Sequence, residues 1–294
     1  MRYLLLVLLL IPAPLWAEIQ VDSPRVETAP VVDGNGFDQV WNLTKPVLIN
    51  DQTSHETILL RSVHTDERIY FLVQYPDKAE NTLHEPWTWD EKAGKYVQGP
   101  HREDTFVFKW SMMDKDVNLS NFSDDDYRAD VWYWKANRSN PAGYADDKMQ
   151  ILSSKPPKKV SADDEADESK ELISVSGQKR YLRRITDQGQ GPYRELKAPP
   201  QKEKLVIDRF QPQQPSGSRA DVKARGQWDN GFWFIEFSRK LQTGHNDDIQ
   251  FTVGKPALFG VSIFSLYGEE LDQSSPNFYG MGRISEPLKL HLLK

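Results

Sequence analysis

Ile58-Leu59-Leu60-Arg61-Ser62-Val63 and Ile69-Tyr70-Phe71-Leu72-Val73-Gln74-Tyr75, joined through Thr65-Asp66-Glu67, read as the two arms of a β-hairpin. Successive strand side chains point to opposite faces, so Ile69, Phe71, Val73 and Tyr75 share one face and predict a buried one. The same signature recurs along the chain at Thr105–Ser111, Val131–Ala136, Asp221–Gln227, Phe232–Ser238, Asp248–Val253, Leu258–Phe264 and Leu288–Leu293. Two of these runs meet at Trp228-Asp229-Asn230-Gly231-Phe232, where Asn-Gly supplies the positive φ angles of a tight hairpin turn. Short two-faced strands in this number predict an all-β chain, an antiparallel β-sandwich.

Between about 153 and 215 the pattern breaks. Lys-Pro-Pro-Lys-Lys leads into the acidic run Asp163–Glu168 and then a Pro/Gln-rich tract, which predicts a long irregular, loop-rich insertion with strand fragments near Leu172–Val175 and Leu205–Ile207. Consecutive carboxylates there, and at Asp124-Asp125-Asp126, lack the spaced ligands and Gly of a calcium loop and read as solvated faces.

The 294 residues carry 37 Lys+Arg against 43 Asp+Glu with the signs interspersed, which argues against a nucleic-acid partner. The absence of Cys excludes disulfides, thiolate metal sites and covalently attached haem c. Residues 1–17, MRYLLLVLLLIPAPLWA, are too short an apolar run to span a bilayer and read as a cleaved export signal, leaving 18–294 as a single domain with no membrane span and a periplasmic location. No nucleophile elbow, Walker loop, dinucleotide fingerprint or zinc-protease motif occurs, and the six His are scattered, so neither a stand-alone enzyme nor a metal site is expected.

Trp110, Trp132, Tyr133 and Trp134 cluster along the chain with Met112 and Met113. Aromatic strands can pack a core or line a pocket for a flat ligand, and a thioether can ligate haem iron. The first reading is the commoner in any β fold; the second makes Trp110, Trp132, Trp134 and Lys135 pocket candidates.

Val32-Asp33-Gly34 through Trp41, Arg102-Glu103-Asp104, Ala129-Asp130-Val131-Trp132-Tyr133-Trp134-Lys135-Ala136, Asn140 to Asp147, and Phe237-Ser238-Arg239-Lys240-Leu241-Gln242-Thr243-Gly244 followed by Asp247-Asp248 together resemble the haem-binding domain of ethylbenzene dehydrogenase-related proteins. That family includes γ subunits of ethylbenzene and dimethyl sulfide dehydrogenases. The resemblance implies a β-sandwich that carries haem and serves a redox partner, a cytochrome or a molybdenum oxidoreductase. Relatives with covalent haem have Cys-x-x-Cys-His before the Trp-rich segment, where this chain reads Asp116 to Asp124. Relatives with haem b use a Met just before that segment and a Lys near the C-terminus, and neither position carries over. Haem b held by substitute thioethers, Met113 or Met112 on one side and Met281 on the other, is one expectation; His101 is a weaker candidate. A haem-free sandwich that binds carbohydrate or a protein partner is the other.

Overall fold

The computed structural model describes residues 19–52, 54–157, 168–264 and 284–294; the segment expected to be an export signal and Met281 lie outside these residues. The strands are β1 (Ile19–Ser23), β2 (Val47–Asn50), β3 (Thr57–His64), β4 (Arg68–Pro76), β5 (Trp87–Asp90), β6 (Lys95–Gln98), β7 (Thr105–Ser111), β8 (Tyr127–Lys135), β9 (Asp146–Ser153), β10 (Glu168–Ile173), β11 (Lys179–Thr186), β12 (Tyr193–Glu195), β13 (Val206–Ile207), β14 (Phe210–Pro212), β15 (Lys223–Asp229), β16 (Phe232–Lys240), β17 (Ala257–Phe264) and β18 (Leu288–Leu292).

An eight-stranded sheet in the order β1-β18-β17-β7-β8-β9-β11-β10 faces a five-stranded sheet in the order β15-β16-β4-β3-β2. The β3–β4 and β15–β16 hairpins form as the sequence predicts. Asn230 (φ 49°) and Gly231 (φ 85°) both adopt the left-handed conformation that a two-residue turn of this kind needs. Ile69, Phe71, Val73 and Tyr75 are fully buried and meet Phe106, Phe108 and Trp110 of the other sheet. The Asp33-Gly34 opening has a structural task. The backbone N–H groups of Asp33 and Gly34 and the indole N–H of Trp41 all donate to the carboxylate of Glu236 on β16, at 3.0, 2.8 and 2.9 Å, tying the segment to the five-stranded sheet.

Two local expectations change. Asp248–Val253 is not a strand: Phe251 is buried and Ile249 packs on the core, but the backbone is pinned piecemeal, with Phe251 N–H donating to Leu241 and Ile249 N–H to Asp130. An apolar alternation buries side chains whether or not a neighbouring strand pairs with the segment. The insertion, in turn, supplies β10 and β11, which extend the eight-stranded sheet, as well as β12–β14 of two small sheets.

The outer face of the eight-stranded sheet carries a second apolar cluster, Val107, Val131, Leu152 and Leu182, covered by Val117 and Leu119 of the β7–β8 loop. Lys109 points into this layer. Its ammonium donates to Asn121 Oδ1 (2.8 Å) and Tyr127 Oη (2.7 Å), and burial without a paired carboxylate among the described residues pushes its pKa well down.

Candidate functional site

Trp110, Trp132 and Trp134 alternate onto the inner faces of β7 and β8 and are fully buried. Trp110 stacks on Phe259 with ring centroids 4.4 Å apart and lies 5.2 Å from Trp132, while Trp134 meets Trp233 edge-on at 4.8 Å. Ring-on-ring contacts at these separations pack the indoles into the space between the sheets. Lys135, one residue on, faces the opposite way. Its ammonium binds Asp146 Oδ2 at 2.5 Å and Tyr193 Oη at 2.9 Å, and burial lowers its pKa to about 8 against the pull of Asp146. Trp110 and Trp132 are thus brought together, Trp134 packs on Trp233 within the same core, and Lys135 is not brought to them.

Met112 and Met113 follow β7 and are both half-buried. They line an open cleft of about 490 Å³ together with Arg128, His245, Asp248, Lys255 and Leu258. Met113 packs on the outer apolar cluster, and its sulfur accepts the Arg128 backbone N–H at 3.4 Å. His101 is exposed on a loop and is not among the residues of this cleft.

A buried polar network lies at the far end of β8. Glu103 accepts the backbone N–H groups of Asn137 and Arg138 (2.7 and 2.9 Å) and pairs with the Arg138 guanidinium. His84 lies 3.4 Å from the same carboxylate, but burial first, and then the positive charges of Arg138, Arg102, Lys135 and Arg209, lower its pKa to about 2. The ring is therefore neutral in the folded protein and must gain a proton on unfolding below its ordinary pKa of 6.5. The stability it confers is complete above pH 6.5 and falls as pH drops toward 2. His84→Gln is expected to remove on the order of 2–3 kcal/mol of the stability loss between pH 7 and pH 4; urea titrations of both proteins at the two pH values read this, and parallel losses would contradict it.

The largest surprise is on β8 and β9. Asp146 and Asp147 are adjacent, both fully buried, and treated oppositely. Asp146 is surrounded by Lys135 (2.5 Å), Arg219 (2.7 Å), Lys148 (3.6 Å) and the Tyr193 hydroxyl (2.9 Å), and stays ionised well below the usual carboxylate range despite its burial. Asp147 faces inward opposite Trp132, and neither of its carboxylate oxygens has a hydrogen-bond donor among the described residues. Around it lie Asp130, Asp187 and Asp248, answered chiefly by Arg239, whose Nη1 binds Asp130 Oδ2 at 2.5 Å. Burial, and then the charge of Asp130, push Asp187 up to about 8 and Asp248 to about 7. Sequence reasoning missed this group because its members come from separate elements; Asp130, Asp147 and Asp248 each stand within a segment that carried the resemblance.

Among solved structures, a carbohydrate-binding module of family 9 from Caldicellulosiruptor kristjanssonii is similar in two complexes. The complex with glucose is 10% identical with a TM-score of 0.38, covering 94% of this chain and 96% of that one. The complex with cellotriose is 11% identical with a TM-score of 0.36, covering 94% of each chain. No curated protein sequence matches the chain. The family model described as Ethylbenzene dehydrogenase matches residues 13–275, and the chain therefore belongs to the ethylbenzene dehydrogenase family.

Proposed function

We propose that the exported chain acts in the periplasm as an electron-transfer or accessory subunit, carrying haem b without covalent attachment in the cleft beside Met112 and Met113 and serving a cytochrome or molybdenum oxidoreductase partner. The observation that carries this reading is the donor set of the cleft. Two half-buried thioethers stand beside the cationic side chains of Arg128 and Lys255 and the apolar Leu258. Soft sulfur suits haem iron, apolar surface suits the macrocycle, and cations suit its carboxylates. When bound, haem b supplies a one-electron carrier. The chain's share would be to hold it: Met113 would offer a sulfur to the iron, and Arg128 and Lys255 would offer counter-charge to its carboxylates. Membership of the family supports a partner protein, and among the described residues no helix is long and apolar enough to cross a membrane.

The test is a visible spectrum of the protein purified from haem-replete cells, oxidised and dithionite-reduced. A Soret band with sharp reduced α and β bands is expected, and Met113→Ala is expected to change the spin state or lose the cofactor. A colourless protein that takes up no added hemin would refute the haem reading, and an unaltered spectrum in the variant would refute the ligand.

One observation favours a haem-free alternative. Trp87 and Trp89 lie on the same face of β5, both half-buried, with Arg209 over the first at 5.1 Å and Lys202 over the second at 6.0 Å. Such a pair offers stacking area to a sugar or to a partner's side chain. Retardation in glycan-containing gels that is lost in Trp89→Ala would support it.

A further inference from the structure

We infer that Asp130, Asp147 and Asp248 form a binding site for a divalent cation, specifically Ca²⁺, which holds the β16–β17 loop against the eight-stranded sheet. The inference does not rest on the haem reading, although Asp248 and His245 also line the cleft proposed for haem, and it stands on three geometric observations.

First, one oxygen from each of the three carboxylates lies within 4.8 Å of the other two. Two oxygens bound to one Ca²⁺ at about 2.4 Å each can be no farther apart than about 4.8 Å, so a single ion can reach all three. Second, Asp147 is fully buried with both oxygens lacking a donor, while its neighbour Asp146 is given two lysines, an arginine and a tyrosine. A buried carboxylate left without donors is costly, and here it is directed at two other carboxylates. Asp130 Oδ1 is likewise without a donor, its Oδ2 being taken by Arg239 and the Ile249 N–H. Third, the three carboxylates have one guanidinium between them, paired to Asp130, which leaves two negative charges for a divalent ion to offset, with Asp187 adding a further one when ionised.

The all-oxygen ligand set selects a hard cation. The ligands come from two neighbouring strands and a loop, a flexible arrangement that suits Ca²⁺ better than the strict octahedron of Mg²⁺. His245 stands at the outer edge, its Nδ1 2.5 Å from Asp221 and 3.8 Å from Asp248, and closes the loop side of the site. The loop that carries Asp248 pairs with no strand, so an ion joining Asp248 to β8 and β9 would supply the anchorage that a ladder would otherwise provide.

The experiment uses the exported chain, stripped with EDTA and dialysed, melted with and without millimolar CaCl₂. Calcium is expected to raise Tm by roughly 5–15 °C, reversibly with EDTA. Asp147→Asn, which keeps the side-chain volume, is expected to melt at one temperature in both buffers. Tb³⁺ in place of Ca²⁺ is expected to luminesce on indole excitation, because Trp132 is the cross-strand neighbour of Asp147, and excess Ca²⁺ should quench that emission. An identical Tm in calcium and EDTA together with dark Tb³⁺ would overturn the site and leave a proton shared between Asp130 and Asp147 as the solution the fold has taken. A calcium response that survives in Asp147→Asn would overturn the ligand assignment, and an equal response to Mg²⁺ would overturn the choice of ion.

Discussion

Arg239→Met is expected to destabilise the fold by about 3–5 kcal/mol, the range for removing one partner of a fully buried ion pair. Arg239 and Asp130 are both fully buried, and the guanidinium also donates to the Ile249 carbonyl while lying 5.1 Å from the ring centre of Trp132 and 4.9 Å from that of Phe251. Methionine replaces the stem but leaves Asp130 charged beside Asp147. The loss is expected as a lower urea midpoint with an unchanged slope. A change below about 0.5 kcal/mol would mean that the carboxylates are neutral in the folded protein and that Arg239 is not needed to balance them. Adding Asp130→Leu to the methionine variant should recover part of the loss, because it removes the stranded charge.

Trp134→Ala is expected to cost a similar amount, about 3–5 kcal/mol, as for large aromatic truncations in a rigid core. Trp134 bridges the sheets. Its indole N–H donates to Asn140 Oδ1 at 3.0 Å, and the same Oδ1 accepts the Gly226 N–H at 2.8 Å while the Asn140 amide donates to the Gly226 carbonyl at 3.1 Å. Gly226 has no side chain for a plain reason: a Cβ there would lie 2.4 Å from Trp134 Cζ2. Gly226→Ala should therefore cost about 1–3 kcal/mol in the parent by overpacking and much less in the Trp134→Ala background. Denaturant curves of the four proteins of that cycle give the coupling directly; strict additivity would show that the two residues do not share the space.

The sandwich was legible because burial writes a period of two into the chain, and Asn230-Gly231 marks its own turn. What was illegible follows from the same physics. Asp248–Val253 alternates like a strand because Ile249 and Phe251 pack inward, yet periodicity reports which side chains are buried and says nothing of what the backbone pairs with. Lys109, in the middle of Thr105–Ser111, reads as an outward polar residue, and only the covering β7–β8 loop makes that face an interior. The three indoles were readable as core, and their packing bears out that weight. Asp146 and Asp147 are the clearest case: identical neighbours, one paired with three cations and a tyrosine hydroxyl, the other with no hydrogen-bond donor among the described residues, a difference that follows from which face each residue takes. Met112 and Met113 do share a cleft, and Met113 packs on the outer apolar cluster.

The parallel ladder between β1 and β18 joins Ile19–Ser23 to Leu288–Leu292, residues almost the whole chain apart. No local contact can form this edge of the eight-stranded sheet, and its closure must wait until everything between has been threaded into place. Because the two strands run in the same direction, Ile19 sits at the Leu288 end, about 13 Å by strand rise from the Leu292 end. A circularly permuted chain opened at the Asn230-Gly231 turn, with a flexible tether carrying β18 on to β1, would convert this non-local pairing into a local one, with faster folding as the expected signature.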